Sequence, residues 1–235
     1  TPPDKQTLYG DYLPDRIHRV GPSRYARWRS AALMSPLNFV DVYPALVAAE
    51  AAGEAPYLQT DSHWNCRGAF AAYERIMHFL RERWQGPLRV LASEDISFER
   101  YRQPLGRDLA RNIIGLAYLF PESRAMRCRI EGEADLAYQT LATGEPLAPR
   151  GISMASRASR VVNTGFAEGP RVLVLRDSYA NAMLDFLNRT FGDVIYRHRS
   201  EGLPDDSFLD EVAPDIVIYE HVERSLVGLR RTLGQ

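Results

Sequence analysis

In "APYLQTDSHWNCRGAF", residues 55–70, Asp61 and His63 lie two positions apart, immediately before a helical pattern. An acid so placed can reach back to the imidazole, fix its tautomer and stabilise the imidazolium that forms when the ring removes a proton. Such a base needs a nucleophile, and a serine hydroxyl is a poor nucleophile without such a base. In "VLVLRDSYAN", Ser178 follows the apolar run Val172–Leu175 and opens another helical pattern. Reactive groups collect beyond the carboxyl ends of parallel strands. The first helical amides, those of Ser178 and Tyr179, could there face a developing oxyanion. The residues also admit a plainer reading. Asp177 or Ser178 would cap one helix, Asp61 would cap the other or close a turn, and His63 would lie as a polar residue over Trp64.

The elements that must position these residues can be read from hydrophobic periodicity. "RYARWRSAALMS" predicts a helix before Pro36, and residues 38–42 predict a short strand leading into a helix from about Pro44 to Gly53. "PYLQT" predicts a second short strand. Ala69, Phe70, Tyr73, Ile76, Met77, Leu80 and Trp84 recur at helical spacing, and Gly86–Pro87 ends that helix. "LRVLASEDISF" and "MRCRIEGEADLAYQTL" favour strands, with a short helix near "GRDLARNIIGL" between them, so 86–165 is expected to be a mixed, partly antiparallel insertion. From 171 onward, the run Val172–Leu175 predicts a strand buried on both faces. A helix carrying Met183, Leu184, Leu187 and Phe191 follows, and "DVIYRH" and "PDIVIYEHVERSL" supply two further strands. Strands alternating with helices predict an α/β domain with a parallel sheet and right-handed crossovers.

The chain has 235 residues, with 29 Lys plus Arg against 30 Asp plus Glu. Its near-neutral charge gives no field for nucleic acid. The longest apolar run, 113–120, is too short to span a bilayer. The opening "TPPDKQTLYG" lacks an initiator Met and a signal pattern, and is expected to belong to a mature or excised fragment. Cys66 and Cys128 fit no metal or redox spacing; two buried free thiols is the expectation, with a Cys66–Cys128 disulfide as the alternative that spacing leaves open. Asp61 and His63 show no further ligands at metal-binding spacing, so no metal or other cofactor is expected. Among competing histidines, His78 falls within the long helix, His18 and His198 sit in arginine-rich exposed contexts, and His221 is a reserve candidate. Arg100, Arg102, Arg107 and Arg111 are read as a solvated charged face that would also suit an acidic glycan. A Gly-x-Ser-x-Gly elbow is absent, since Arg176 and Ala180 flank the Asp-Ser-Tyr motif.

"TPPDKQTLYGDYLP", "TDSHWNCRGAF", "GRDLARNIIG", "VLVLRDSYAN" and "PDIVIYEHVERSL" together, in this order and over nearly the whole chain, resemble the SGNH-hydrolase-like domain of bacterial alginate O-acetyltransferases and related exopolysaccharide acetylation proteins. The resemblance implies a single domain over 1–235 with a flavodoxin-like, SGNH-type three-layer α/β/α fold and a mostly parallel central sheet. It implies a triad of Ser178 as nucleophile, His63 as base and Asp61 as orienting acid, with Tyr179, Arg176 and Trp64 as oxyanion or substrate candidates. Glu223 and Arg224 would be structural or substrate-orienting. The family's order, acid and histidine before serine, is matched; Arg176 stands where many SGNH proteins have Gly, and the usual Gly and Asn oxyanion donors have no counterpart. The implied function is acetyl transfer through a serine ester to a polysaccharide, with an acetyl-donor membrane protein as partner, in the periplasm or cell envelope. A carbohydrate acetylesterase with the same triad and a catalytically silent polysaccharide-binding module are the alternatives.

Overall fold

The structure, a computed structural model, describes residues 1–14, 17, 21–104, 107–113, 119, 122–149 and 158–226. His18 and most of the apolar run 113–120 lie outside the described residues. The chain divides into two compact units, one of residues 1–79, 98–128 and 221–235, the other of 80–97 and 129–220.

The first unit is built on helices. They are α1 (Lys5–Leu8), α2 (Arg24–Leu33), α3 (Tyr43–Ala51) and α4 (Cys66–Arg81). α2 starts where Ser23 accepts from the Ala26 amide, and α3 carries Pro44 in its first turn, both expected start signals. Gly53, just past α3, has φ of +77°, a conformation that costs glycine little. The predicted strand over 38–42 has no regular structure. Instead Asp41 accepts from the Tyr43 amide (3.2 Å) and the Tyr25 hydroxyl (2.7 Å) and pairs with Arg29, tying the stretch to helices. The strand predicted at "PYLQT" reduces to an isolated antiparallel bridge between Tyr57 and Trp64.

α4 carries the expected face: Ala69, Phe70, Tyr73 and Met77 are fully buried. Phe70 stacks on Tyr73 and tilts against Phe98, with centroids 5.7 and 5.9 Å apart. Each such large side chain stabilises the fold by about 1.5–3 kcal/mol. The helix stops short of Trp84, where the Arg83 and Trp84 amides turn back to the Leu80 carbonyl. Gly68 is required by contact: a Cβ there would come within 2.4 Å of the Pro56 carbonyl oxygen. Cys66, in the first turn of α4, is joined by a disulfide to Cys128, which corrects the expectation of two free thiols. A Cα separation of 5.9 Å suits the bridge. Cys128 lies in β2 (Glu122–Ile130), which pairs with β1 (Ile96–Pro104) as a two-stranded sheet.

The second unit contains a five-stranded sheet in the order β3-β4-β6-β5-β7: β3 (Leu136–Thr140), β4 (Ser159–Asn163), β5 (Arg171–Arg176), β6 (Asp193–His198) and β7 (Ile216–Tyr219). The expectation of a mostly parallel sheet needs correction. β5 runs parallel to β6 and β7, but β4 is antiparallel to both β6 and β3, so the sheet is mixed. The antiparallel edge is formed by β3 and β4, both from the segment 86–165. Val172–Leu175 is buried along its whole length, as its uninterrupted apolarity predicts for a central strand. Leu173 and Leu175 meet Ile195 and Val212, the latter from α6 (Asp206–Val212), while α5 (Leu184–Thr190) follows β5. Asp193 binds Arg160 through two hydrogen bonds (2.8 and 2.7 Å) and Arg171 through a third (2.7 Å), joining β4, β5 and β6 at one end.

Replacing Cys66 and Cys128 together by Ser reopens a span of 62 positions and is expected to lower the unfolding free energy by about 2–4 kcal/mol, measured by urea denaturation with and without reductant.

Candidate active site

In the first unit the loop ahead of α4 answers the capping question directly. Asn65, not Asp61, caps the helix: its Oδ1 accepts from the Arg67 and Gly68 amides (2.9 and 3.1 Å), and its Nδ2 donates to the Ala55 carbonyl (2.6 Å). Asp61 is thereby left to His63. Its Oδ1 lies 2.6 Å from His63 Nδ1 and accepts from the His63 amide at 3.0 Å. With Asp61 ionised, Nδ1 carries the proton and donates, so Nε2 is the basic nitrogen. Burial works to raise the Asp61 pKa, but the hydrogen bonds from the His63 ring and amide outweigh it and hold this carboxyl below its ordinary value.

The loop is anchored by side chains from both directions along the sequence. Lys5 Nζ donates to the carbonyls of Leu58 (2.5 Å), Gln59 (2.7 Å) and Asp61 (3.3 Å). Burial pushes the Lys5 ammonium down, against the opposing charges of Asp61 and Asp108. Asp108 accepts from the Ser62 amide (2.7 Å) and hydroxyl (2.6 Å), and its Oδ2 lies 3.8 Å from His63 Nδ1. Sequence reasoning missed Asp108; the signal was its place in "GRDLARNIIG". Asp61, His63 and Asp108 offer ligand atoms within 4.8 Å of one another, a grouping of the size that encloses a cation. Each Asp108 oxygen accepts one hydrogen bond from Ser62.

Other first-unit candidates divide by burial. Trp64 is 2% exposed and belongs to the core, so it offers no face to a substrate. Arg100, Arg102, Arg107 and Arg111 are all exposed, and Arg107 Nε lies 3.5 Å from Asp61 Oδ2. His78 is an exposed helical residue and His221 is buried. Glu223 is structural: it accepts from the Asp4 amide (2.8 Å), the Thr7 hydroxyl (2.7 Å) and the Tyr25 amide (2.8 Å), bringing the first and last motifs together. Arg224 pairs with Asp4 (2.6 Å) and reaches the Ser62 hydroxyl (3.4 Å). Beside them opens a cleft of about 940 Å³, whose lining includes Ser62, Asp108, Lys5, Arg24, Tyr9 and Tyr12. Tyr12 is 77% exposed, and its ring lies 5.8 Å from that of Tyr9.

In the second unit Ser178 occupies the carboxyl end of β5. The neighbours of β5 lie on opposite sides of it, the arrangement that opens a crevice at strand ends. Asp177 takes the capping role, accepting from the Tyr179 amide at 2.9 Å, and Ser178 is exposed between buried Asp177 and Tyr179. The Tyr179 amide is thus engaged, which counts against it as a ready oxyanion donor. Arg176 is 2% exposed and donates to Asn181 Oδ1 (2.9 Å), bracing the turn from beneath, where a substrate does not reach. His198, expected to be exposed, is half-buried, with its Nδ1 2.8 Å from Ser200 Oγ. Glu220, unnoticed in the sequence, is buried with Oε2 accepting from the Asp177 amide (3.1 Å). Burial, with the charge of Asp177 adding to it, pushes Glu220 up to about 8.

The fold is α/β and SGNH-hydrolase-like. Residues 1–116 match the family described as "SGNH hydrolase-like domain, acetyltransferase AlgX", in agreement with the resemblance carried by the three motifs that fall within this stretch. Among solved structures, a DHHW family protein from Eubacterium siraeum is 18% identical with a TM-score of 0.71, covering 97% of this chain and 78% of that one. Bacillus cereus PatB1 is 17% identical with a TM-score of 0.69, covering 96% and 81%. The O-acetyltransferase domain of Pseudomonas putida AlgJ is 18% identical with a TM-score of 0.61, covering 96% and 73%. No curated protein sequence matches. Among the described residues no helix is long and apolar enough to cross a membrane.

An unfolded Glu220 ionises near 4.5, whereas the folded one holds its proton to about 8, so the folded state binds more protons between these values. Stability is therefore expected to fall by a few kcal/mol as pH rises through that window. Glu220→Gln should flatten this fall, as measured by urea denaturation at pH 5 and pH 9.

Proposed function

We propose that this protein is a serine-dependent O-acetyltransferase that moves an acetyl group through a Ser178 ester onto a hydroxyl of a bacterial polysaccharide. The observation that carries the reading is the 2.6 Å contact between His63 Nδ1 and a buried Asp61 whose loop leaves capping to Asn65. Exposure of Ser178 at the end of β5 supports its role as nucleophile. In this reading the two units act as one catalytic domain of flavodoxin-like, three-layer type, with 86–165 as its mixed insertion.

His63 Nε2 removes the hydroxyl proton as Ser178 Oγ bonds to the carbonyl carbon of an activated acetyl group. The bond from that carbon to the donor breaks, and the proton leaves with the donor. An acceptor hydroxyl then gives its proton to His63 while its oxygen attacks the serine ester, and Ser178 recovers the proton as the acetylated glycan departs. The Asp61 charge favours the imidazolium in both halves. The cleft beside Ser62 is the proposed acceptor seat, with the exposed Tyr12 as a stacking face. The Cys66–Cys128 disulfide supports an oxidising location, the periplasm or cell envelope, where an acetyl-donor membrane protein would supply the group.

Incubation with an activated acetyl ester, followed by intact mass, is expected to give one acetyl adduct that Ser178→Ala abolishes and that an oligosaccharide discharges. An adduct unaffected by Ser178→Ala removes Ser178 from the mechanism, and discharge by water as fast as by sugar replaces transfer with hydrolysis. Tyr12→Ala should raise the KM for an oligosaccharide acceptor roughly fivefold. An unaltered acceptor KM would take this cleft out of the reading.

A further inference from the structure

The segment around Asp108 is fastened to the catalytic loop through consecutive residues. The Arg107 amide donates to Thr60 Oγ1 (3.1 Å) and the Leu109 amide to the Thr60 carbonyl (3.1 Å). Between these, Asp108 receives both hydrogen-bond donors of Ser62, the residue that separates Asp61 from His63. The Tyr57–Trp64 bridge closes this loop at its base and Lys5 holds its carbonyls, while the Ser62 amide at its tip is fixed by Asp108. A carboxylate that accepts an amide and a hydroxyl from one residue sets both the position and the rotation of that residue. The neighbouring Asp61 and His63 side chains inherit this geometry. Asp108 also stands as a second anion facing the His63 ring, at 3.8 Å from Nδ1.

We propose that Asp108 is a positioning residue of the active site: through its two hydrogen bonds to Ser62 it fixes how the Asp61–His63 pair is presented to the nucleophile. This rests on the transferase reading above, in which His63 is the base. In the first unit, the charged groups facing the pair are Asp61 itself, Asp108, Arg107 through Asp61, Lys5 through the Asp61 carbonyl, and Arg224 through Ser62. Of these, Asp108 alone holds the Ser62 amide, and it joins the loop to a segment 46 positions away.

The test is turnover of 4-nitrophenyl acetate from pH 5 to pH 9 by the wild type, Asp108→Ala, Asp108→Asn, Ser62→Ala and His63→Ala. Asp108→Ala should lower kcat by about tenfold or more, with KM within about twofold, because the loss is one of orientation. Asp108→Asn should recover much of that rate, since its amide oxygen still accepts from the Ser62 amide and its NH2 can donate to the Ser62 hydroxyl. With the second anion gone, its acidic rate limb should move to lower pH. Ser62→Ala, which keeps the amide contact, should fall between the wild type and Asp108→Ala. The proposal is overturned if Asp108→Ala keeps kcat within about twofold of wild type. It is equally overturned if Asp108→Asn is as slow as Asp108→Ala with an unmoved acidic limb, the signature of a purely structural role. Should Asp108→Ala fail to fold, Asp108→Asn and Ser62→Ala decide the matter. Loss of turnover in His63→Ala beside an active Asp108→Ala would sink this inference alone; a fully active His63→Ala would sink the transferase reading with it.

Discussion

A buried carboxylate in an irregular loop governs the first unit. Asp61 is 7% exposed and has no strand or helix to satisfy the backbone around it. An ionised group so placed is tolerated only when its oxygens and the surrounding peptide groups all find partners. The surrounding residues supply them. The His63 ring and amide bind Asp61, Lys5 gathers three loop carbonyls, and Asn65 closes the loop against Ala55 while opening α4. Lys5 in turn lies in a terminal segment fixed to the Glu223 carboxylate at Asp4 and Thr7. Orientation of one imidazole thus draws on residues from both ends of the chain.

The second unit uses the opposite means. There a continuous apolar strand, buried on both faces between two parallel neighbours, fixes the chain by ladder hydrogen bonds and packing, and the polar turn is carried at its end. The turn rests on a layer of buried ionisable groups, Arg176, Asp177 and Glu220. Burial raises the Glu220 pKa to about 8, which favours its neutral form beside Asp177. Rigid sheet below and polar turn above leave Ser178 exposed at the end of a fixed strand.

Residues whose environment is set by near neighbours were legible in the sequence. Val172–Leu175 declared a central strand, and the spacing of Ala69, Phe70, Tyr73 and Met77 declared the buried face of α4. Asp61 and His63 were legible as a pair because the reach from one to the other spans only two positions. What escaped was set at long range. Residues 38–42 have strand composition but pair with no strand among the described residues, and the side chain of Asp41 binds helical neighbours instead. The antiparallel character of 86–165 was expected, but periodicity does not encode that its strands β3 and β4 join the edge of the central sheet. Asp108 and Glu220 looked like ordinary charged residues, because their partners, Ser62 and the Asp177 amide, are distant in the chain. The disulfide escaped for the same reason, as spacing says nothing of whether two cysteines converge.

That disulfide gives the segment between its ends an unusual relation to the rest of the chain. A single cut anywhere between Cys66 and Cys128 divides the polypeptide without separating it, because the two pieces remain covalently joined. The piece bearing Asp61 and His63 would stay tethered to the piece bearing Ser178. In surroundings rich in proteases, a nick there changes the connectivity of the molecule but not its composition, and an electrophoretic gel run without reductant would register no loss of mass.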